Sequence, residues 1–434
     1  MYLDRVLEKR ILKRKEITEM KKMVSIILAA TLAFGVTGAA YAEELQETTA
    51  AEAEQTGTGQ AETESISTSS EAGNEKASAE SDDTELITDH IGDEVETLTR
   101  IITDHTGVEV EIPTEINRVV IGNTLPLASI LTIYLGGAEK IVGMHPASMA
   151  AAQSGLLSEI YPEILEAETG FISGSEVNIE ELLKLNPDIV IGATAELAQT
   201  LRDAGIPAVT FSVSNWGYDV VETYDQWIAF LDEIFGESEL SRKVSEYSHE
   251  VYEEIQERVS NVTEDEKKRV LFLYNYAEET MTTSGSQFFG QSWCDATGVL
   301  NVAQEITDAG AAAINMEQVY AWNPDIIMIT NFTEVMPEDL YNNAVGNDDW
   351  SNVSAVQNGQ VYKMPLGLYR TYTPGADTPV TLQWFAKTMY PELFENVNIE
   401  EVTSDYFEEY YGVELTDEQI ASIYNPVRES AGGL

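Results

Sequence analysis

Residues 178–192 read NIEELLKLNPDIVIG, and this stretch predicts a short amphipathic helix, a turn and a buried strand. The leucines of its first half fall on one apolar helical face. Pro187 cannot continue a helix and keeps Asn186 out of the α region, so the turn is predicted at Asn-Pro-Asp. The β-branched run at 189–191 is typical of a strand that is covered on both faces.

The same unit recurs at residues 315–329, which read NMEQVYAWNPDIIMI. Equivalent positions of the two copies are a constant 137 residues apart (315 − 178 = 137). Around each copy, strand patterns alternate with helical patterns, which is typical of βαβ units and a parallel sheet. The further strands are predicted at 118–122, 140–144, 206–211 and 269–274 and within 359–365, and the polar run 282–286 is predicted to be a loop. We therefore expect an α/β fold of two Rossmann-like lobes with central parallel sheets and a ligand cleft between them.

The lobes are predicted to be joined by helices. Apolar residues of the joining segment recur at helical spacing in two successive runs, before and after Gly236. If it is continuous from Leu240 to Val262, the second helix is roughly 35 Å long, enough to run alongside both lobes as a rigid connection. These patterns define an N-terminal α/β lobe at 101–218, connecting helices at 219–262, and a C-terminal α/β lobe with closing helices at 263–434.

The first hundred residues differ in composition from the rest. A basic flank, an apolar run and the end Ala-Tyr-Ala at 40–42 predict a signal peptide at 1–42, with an uncleaved membrane anchor as the alternative. Residues 43–100 are predicted to be a disordered acidic spacer, because they hold too few large apolar side chains to bury a core. At the end of the spacer, Ile87–Gly92 resembles Ile102–Gly107, a short duplication. We expect the protein to be exported.

Composition argues against several classes of function. The formal net charge is −51 and the pI is near 4.1, so nucleic acid, itself a polyanion, is not an expected partner. The single cysteine, Cys294, permits no intrachain disulfide and no cysteine metal cluster. The sequence contains no G-x-S-x-G, P-loop or HExxH motif, so we expect neither an enzyme nor a bound cofactor.

Candidate binding residues follow from the predicted topology, since ligands of open α/β sheets meet the loops at the carboxyl ends of the strands. Arg370 can direct its guanidinium fork at carboxylate or oxyanion oxygens, and aromatic side chains can stack on a planar ligand. Core packing is the alternative for each aromatic residue, and a turn role is the alternative for His145. The predicted ligand-binding residues are Arg370, Tyr369, His145, Trp216, Asn123, Thr194, Tyr276 and Tyr372.

Taken together, these motifs resemble the solute-binding proteins of ABC importers, in the group with a rigid helix between two lobes. The resemblance covers 101–394 and rests on the segments 118–122, 140–143 and 358–362 and on both N-[IM]-E…NPDI units. It implies delivery of a cargo to a membrane permease, with Glu180 and Glu317 docking onto arginines of that permease. The alternative is that each is an ordinary first-turn glutamate favoured by the helix dipole.

The resemblance leaves several cargoes open. Only His145 lies on a predicted cleft loop, so capture of a bare metal ion is not expected. An iron complex of the ferric siderophore type is the first expectation. Molybdate or tungstate, a corrinoid and haem are alternatives, and haem would need Tyr369 or His145 as axial ligand. We expect a monomer that works in the periplasm or at the outer face of the cell membrane. A surface sensor or adhesion module is the competing class.

Overall fold

Both copies of the repeated unit adopt the predicted form in the computed structural model, which describes residues 98–174 and 176–433. Each copy begins with an asparagine N-cap: the Asn178 side chain accepts from the third helical N–H at 3.2 Å, and the Asn315 side chain does so at 3.1 Å. Each helix is followed by an asparagine with positive φ, 46° at Asn186 and 41° at Asn323. Asparagine tolerates this left-handed region, which explains why the turn contains it twice.

The aspartate of each Asn-Pro-Asp turn fixes the start of a neighbouring strand. Asp188 Oδ2 accepts from the Arg118 backbone N–H at 2.8 Å, and Asp325 Oδ2 accepts from the Arg269 backbone N–H at 3.0 Å. The guanidinium groups of Arg118 and Arg269 donate to backbone carbonyls at the end of the helix that leads into each turn, at Leu185 and Trp322 respectively. The repeat therefore consists of a strand, a helix end and a turn held together by the same polar contacts in both lobes.

The strands, in chain order, are β1 Thr99–Thr103, β2 Glu109–Pro113, β3 Val119–Ile121, β4 Ile141–Gly143, β5 Ile172–Ser173, β6 Glu176–Val177, β7 Ile189–Ile191, β8 Ala208–Val209, β9 Arg269–Leu273, β10 Asn275–Ala277, β11 Thr280–Ser284, β12 Leu300–Asn301, β13 Ala311–Ala313, β14 Ile326–Ile329 and β15 Val361–Lys363. The N-terminal lobe has a parallel sheet in the order β4-β3-β7-β8, and the C-terminal lobe has one in the order β12-β9-β14-β15. The two orders match strand for strand, as expected for two similar α/β lobes.

The predicted loop at 282–286 is wrong in its first part. Residues 280–284 form β11, which pairs antiparallel with β10 and β13 in a separate sheet of the C-terminal lobe. Threonine is favoured in strands, and the hydroxyl groups here are satisfied locally: Thr283 Oγ1 donates to Phe272 O at 2.7 Å. The polar composition of this strand therefore reflects local hydrogen bonding and not a solvent-exposed loop.

The helices are α1 Leu127–Leu135, α2 Pro146–Ser154, α3 Leu157–Ile160, α4 Ile179–Lys184, α5 Ala195–Asp203, α6 Val220–Phe235, α7 Glu239–Val259, α8 Phe289–Thr297, α9 Met316–Trp322, α10 Pro337–Tyr341, α11 Ser354–Gln357, α12 Thr378–Met389, α13 Ile399–Tyr411 and α14 Asp417–Tyr424. Helix α7 is continuous as predicted but ends at Val259, which gives 21 residues and roughly 31 Å. It packs against α1 of the N-terminal lobe and against α8 and α12 of the C-terminal lobe.

The two lobes are also in direct contact beside this helical connection. Ala151 of α2 is buried in the same apolar cluster as the core of the C-terminal lobe. The Leu156 N–H donates to Gly367 O at 2.9 Å, and a Cβ placed on Gly155 would lie only 2.5 Å from that same oxygen. Glycine is needed there because the two backbones approach so closely.

Several predictions concern residues outside the described part of the chain. The signal peptide, most of the acidic spacer and the first copy of the duplication belong to this group. The second copy is described: its first residues lie in β1 and the remainder in the turn before β2. Strand β1 begins at Thr99, two residues before the predicted start of the N-terminal lobe. Within 98–174 and 176–433, every helix is too short or too polar to cross a membrane.

Candidate functional site

Arg370 lies where the two lobes meet, in the loop that follows β15, and it is completely buried. Its guanidinium donates to backbone carbonyls from two distant parts of the chain. Nε donates to Ser430 O (2.9 Å), and Nη2 donates to Gly432 O (3.0 Å) and Ala147 O (3.1 Å). Because Ala147 belongs to α2, this side chain ties the N-terminal lobe, the C-terminal lobe and the carboxyl-terminal segment together.

The remaining guanidinium nitrogen, Nη1, is buried and has no hydrogen-bond partner among residues 98–174 and 176–433. A guanidinium has five N–H donors, so two are left on Nη1 after three are used. Its Cζ lies 5.0 Å from the Phe332 ring centroid and 5.8 Å from that of Tyr369, where cation–π attraction operates. The predicted fork is therefore largely occupied by the chain's own carbonyls, and Nη1 is the atom that can still bind an acceptor.

Asp377 holds the loop that carries this arginine. Its Oδ2 accepts from the backbone N–H groups of Leu368 (2.6 Å) and Tyr369 (3.4 Å). Burial raises the pKa of Asp377 to about 7, and the two N–H donors oppose part of that rise. A Cβ on Gly367 would lie 2.6 Å from Oδ2, so the loop can approach the carboxyl only with glycine at this position. Asp377 thus fixes the backbone immediately before Arg370.

Replacing Asp377 with asparagine is expected to change the pH dependence of stability. The folded carboxyl binds its proton more tightly than the unfolded one, so the wild-type protein loses stability relative to Asp377→Asn as pH rises from about 4 to about 7. Above about pH 7, the difference in the free energy of unfolding between the two proteins should stay constant, after a total loss on the order of 1–4 kcal/mol in the wild type. Urea denaturation of both proteins between pH 4 and 8 measures it. The exposed Asp405→Asn is the control, and parallel curves for Asp377→Asn and wild type would contradict the expectation.

His145 caps the first turn of helix α2, which is the turn role given above as its alternative. Its Nδ1 accepts from the Ala147 N–H at 3.0 Å and so caps α2, and its Nε2–H donates to Gly174 O at 3.3 Å. Burial lowers the pKa of His145; the bond to Gly174 opposes this, and the nearby Arg370 charge adds to it. The neutral ring thus has both nitrogens engaged by backbone groups.

Three further predicted residues follow strands of the N-terminal lobe. Thr194 is exposed and caps α5 by accepting from the Leu197 N–H at 3.2 Å. Trp216 is half-buried, and its ring packs edge-on against His105 with centroids 4.8 Å apart. Asn123 follows β3, and its buried Oδ1 has no hydrogen-bond partner in the described part of the chain. Of these three, Asn123 has the side chain best able to accept a bond from a solute.

Two predicted aromatic residues belong to the core of the C-terminal lobe. Tyr276 is 2% exposed; its hydroxyl donates to Asp348 Oδ2 (2.8 Å) and accepts from Trp350 Nε1 (2.9 Å). Tyr372 is fully buried, and its hydroxyl accepts from the Gly290 N–H at 3.1 Å. Both hydroxyls are therefore hydrogen-bonded inside the lobe, which is the core-packing alternative given for each aromatic residue.

The residues beside Arg370 include several that the sequence did not single out. The rings of Tyr274 and Phe332 stack with centroids 5.0 Å apart, and Phe288 packs edge-on against Tyr274 at the same distance. Asn331, next to Phe332, has a buried Oδ1 without a hydrogen-bond partner within the described ranges. Tyr274 follows β9, and Asn331 and Phe332 follow β14. Ligands of such sheets meet the loops at the carboxyl ends of the strands, so this rule was sufficient to find all three residues.

Tyr369 completes this group at the lobe interface. Its side chain is 4% exposed, and its hydroxyl lies at hydrogen-bond geometry to no group in residues 98–174 and 176–433. Burial raises the pKa of Tyr369, and the neighbouring Arg370 charge opposes that rise. The phenol therefore stays protonated at neutral pH and can donate a hydrogen bond to a solute.

Glu180 and Glu317 occupy equivalent places in the two lobes. Each is exposed and is the second residue of its helix, α4 or α9. One turn further along the same helical face, each is accompanied by an exposed apolar side chain: Leu183 (47% exposed) in the first lobe and Tyr320 (43%) in the second. Each helix is connected by a short turn to the next strand of its sheet and runs in the opposite direction to that strand. The first turn of the helix therefore lies toward the carboxyl edge of the sheet, where the cleft loops are.

Residues 98–174 and 176–433 contain no group of three or more histidine, cysteine, aspartate or glutamate side chains placed to hold a metal ion. The buried Cys294 lies in α8, and burial raises the pKa of its thiol well above the usual value. This thiol is therefore a packing group, and the polar chemistry at the lobe interface is that of Arg370 and its neighbours.

Comparison with known proteins places this architecture in a family. The family model described as periplasmic binding protein matches residues 126–366, more than half of the chain. The molybdate-binding protein MolA of Haemophilus influenzae is 26% identical over 324 residues, covering 69% of this chain and 87% of that protein. The iron-uptake system-binding protein of Bacillus subtilis is 21% identical over 231 residues, covering 51% of this chain and 69% of that protein.

Solved structures agree with the sequence comparison. A periplasmic solute binding protein from Veillonella parvula has a TM-score of 0.65 at 30% identity, covering 75% of this chain and 97% of that one. MolA bound to molybdate has a TM-score of 0.61, covering 73% of this chain and 99% of that one. The chain therefore belongs to the periplasmic binding protein family, in the group whose two lobes are joined by a helical backbone, and it is an exported, non-enzymatic solute-binding component of an ABC importer.

Proposed function

We propose that the cargo is a compact oxyanion of the molybdate or tungstate type, bound between the lobes at Arg370. The observation that carries this proposal is the completely buried guanidinium whose Nη1 has no hydrogen-bond partner in the described chain. A desolvated cationic N–H group binds an anionic oxygen more strongly than an exposed one does, because little water competes for it. The backbones of the two lobes approach closely at Gly155 and Gly367, which leaves less room there for a bulky solute than for a small one.

Two neighbouring side chains support the same chemistry. The Tyr369 hydroxyl is a neutral donor beside the guanidinium, and such donors recognise the oxygens of an anion. The 26% identical relative that covers 69% of this chain is named for binding molybdate. An oxyanion needs only a few convergent donors, and Arg370 with Tyr369 supplies both a charge and a directional hydroxyl.

An iron complex of the ferric siderophore type is the second candidate. It is favoured by the aromatic group of Tyr274, Phe288 and Phe332, which is suited to stacking on a ligand, and by the relative named for iron uptake. A haem cargo is less well supported, because both ring nitrogens of His145 are engaged by the backbone and the Tyr369 phenol is held protonated.

Titration calorimetry separates the two candidates. The purified protein is titrated with molybdate and tungstate, with ferric citrate and a ferric hydroxamate siderophore as the iron arm, and with sulfate as the matched smaller oxyanion. We expect one-to-one binding of molybdate and tungstate, with sulfate at least about tenfold weaker because its shorter bonds do not reach all donors. Binding of the iron chelates without binding of molybdate would replace the first proposal by the second.

We further propose that Glu180 and Glu317 dock the protein onto its permease. Both carboxylates are exposed on rigid helices at equivalent positions, and paired charges of this kind steer and orient association. The apolar side chains of Leu183 and Tyr320 lie beside them and give each lobe a small mixed surface of the same composition. The protein acts as a monomer in this proposal, so that one lobe faces each half of the permease.

The proposed place of action is the periplasm or the outer face of the cell membrane, reached through the predicted signal peptide at 1–42. A solute-binding component must meet its cargo outside the cell and its permease at the membrane. N-terminal sequencing of the native product tests the predicted cleavage after Ala42, since a product that begins at Glu43 is expected.

A further inference from the structure

The carboxyl-terminal segment lies across the lobe interface, directly over Arg370. Arg428 anchors it to the C-terminal lobe through Asp339, with Nη1–Oδ2 at 2.5 Å and Nη2–Oδ1 at 2.9 Å. At its other end, a Cβ on Gly433 would lie 2.5 Å from the Pro146 carbonyl carbon, so the segment is in close contact with the first turn of α2. Between these anchors, Ser430 O and Gly432 O accept from the Arg370 guanidinium.

Ser430 has an unusual environment within this segment. Its side chain is completely buried, and its Oγ has no hydrogen-bond partner anywhere in the described part of the chain. Its own carbonyl accepts from Arg370 Nε at 2.9 Å, so Ser430 is in direct contact with the guanidinium. Buried hydroxyl groups in native folds are normally satisfied, so an unsatisfied one requires a reason.

Three such atoms are associated with one guanidinium: Ser430 Oγ, the Tyr369 hydroxyl and Arg370 Nη1 are all buried and lack partners in residues 98–174 and 176–433. Leaving three polar groups unsatisfied lowers the stability of the fold, whereas a solute that accepts from all three removes that penalty. Ser430 and Tyr369 both contact the Arg370 guanidinium, which is the arrangement expected of a binding site that is complete only when a solute is present.

We propose that residues 427–433 form the outer wall of the solute site and that the Ser430 hydroxyl binds the solute directly. This inference rests on the proposed function and extends it to a segment outside the matched family region, which ends at residue 366. The hydroxyl is a neutral donor and acceptor, so it can complement Arg370 on any solute that presents oxygen atoms. Because the segment covers Arg370, it must move away from α2 for a solute to enter or leave.

The test compares Ser430→Ala with the wild-type protein and with Ser422→Ala, a serine on the exposed face of α14 whose hydroxyl donates to Gln419 O. Each protein is titrated with molybdate, tungstate and ferric citrate. Ser430→Ala should bind the cargo about tenfold more weakly, because it loses one hydrogen bond to a charged ligand, whereas Ser422→Ala should match the wild type. The melting temperature without solute should be unchanged or raised in Ser430→Ala, since the removed hydroxyl has no partner within the described chain.

The outcomes separate this inference from the proposed cargo. Molybdate binding that is unaffected by Ser430→Ala would overturn the role of Ser430 and leave the proposed cargo standing. If the wild-type protein binds ferric citrate but neither molybdate nor tungstate, and Ser430→Ala weakens that binding, the role of Ser430 is supported and the oxyanion cargo is overturned. If the wild-type protein binds none of the three solutes, both proposals fail.

A second variant tests the wall itself. Arg428→Gln removes the charge that anchors the segment to Asp339 but leaves Ser430 and Arg370 in place. The dissociation rate of bound solute, followed by stopped-flow displacement, should rise several-fold because the segment opens more often. A dissociation rate equal to that of the wild type would show that the segment does not close the site.

Discussion

Arg370→Met is expected to abolish solute binding, with the dissociation constant raised by at least about 100-fold, and to lower stability as well. Methionine has a similar length but neither charge nor donors, so the solute loses the cation at Nη1. Three carbonyls, of Ala147, Ser430 and Gly432, lose their donor at the same time. The free energy of unfolding should fall by about 3 kcal/mol, since partly buried acceptors are left unsatisfied.

The two effects must be separated, because a destabilised protein also binds poorly. Arg118→Met is the matched control: the Arg118 guanidinium likewise donates to a backbone carbonyl, that of Leu185, but at the amino edge of the N-terminal sheet, away from the lobe interface. We expect this variant to lose stability while it binds molybdate as the wild type does. Circular dichroism melts establish the folded fraction of each protein, and calorimetry below the melting transition measures binding.

Arg370→Lys adds a finer comparison. Lysine keeps the positive charge but cannot reproduce the planar fork that reaches Ser430 O and Gly432 O. Its binding should therefore fall between those of the wild type and Arg370→Met. Wild-type affinity in Arg370→Met would remove Arg370 from the site and with it the basis of the proposed oxyanion cargo.

The fold was predictable because its decisive pattern is local. The Asn-Pro-Asp turn places asparagine where φ is positive, at Asn186 and Asn323, and a buried strand follows it within a few residues. Such short-range requirements are visible in the sequence itself, and their repetition at a constant offset indicated two lobes. The strand orders of the two sheets are consistent with that inference.

The site was only partly predictable, for a physical reason. Arg370 was identified as a loop arginine, but its partners are backbone carbonyls at Ala147, Ser430 and Gly432, and a carbonyl carries no sequence signal. The carboxyl-terminal segment reaches the interface from 60 residues away in sequence, so Ser430 could not be linked to Arg370 before the fold was known.

His145 and Tyr276 have structural roles that depend on contacts not visible in the sequence. Histidine is not among the favoured N-cap residues, so its role at the start of α2 could not be foreseen from type alone. Tyr276 follows a strand but enters the antiparallel sheet formed with the polar strand β11, which had been predicted as a loop. Once that sheet is known, the burial of Tyr276 beside Trp350 follows from its position.

Replacing Glu180 and Glu317 together with alanine is expected to abolish cargo uptake and to leave solute binding by the purified protein unchanged. Both carboxylates are exposed and lie on helices that carry no residue of the solute site, so calorimetry should give the wild-type affinity. Uptake should fall because the permease loses the paired charges that orient docking. Each single substitution should reduce uptake in part, since one lobe still docks.

The control keeps the change in charge and the change in helix-dipole energy the same. Glu196 and Glu338 are also exposed first-turn glutamates, one per lobe, on α5 and α10. The double variant Glu196→Ala/Glu338→Ala should retain uptake, and both double variants should unfold within about 1 kcal/mol of the wild type. Cellular accumulation of molybdenum, measured by mass spectrometry in cells whose own copy has been replaced, provides the comparison.

The docking proposal also predicts how uptake depends on surface chemistry beside the carboxylates. If Leu183 and Tyr320 contribute apolar contact, Leu183→Ser/Tyr320→Ser should lower uptake less than the double glutamate variant, because exposed apolar area contributes binding energy but little steering. Uptake that persists in Glu180→Ala/Glu317→Ala, with the protein exported in normal amounts, would mean that the two residues act only as first-turn glutamates of their helices. The permease would then have to recognise a different surface of the two lobes.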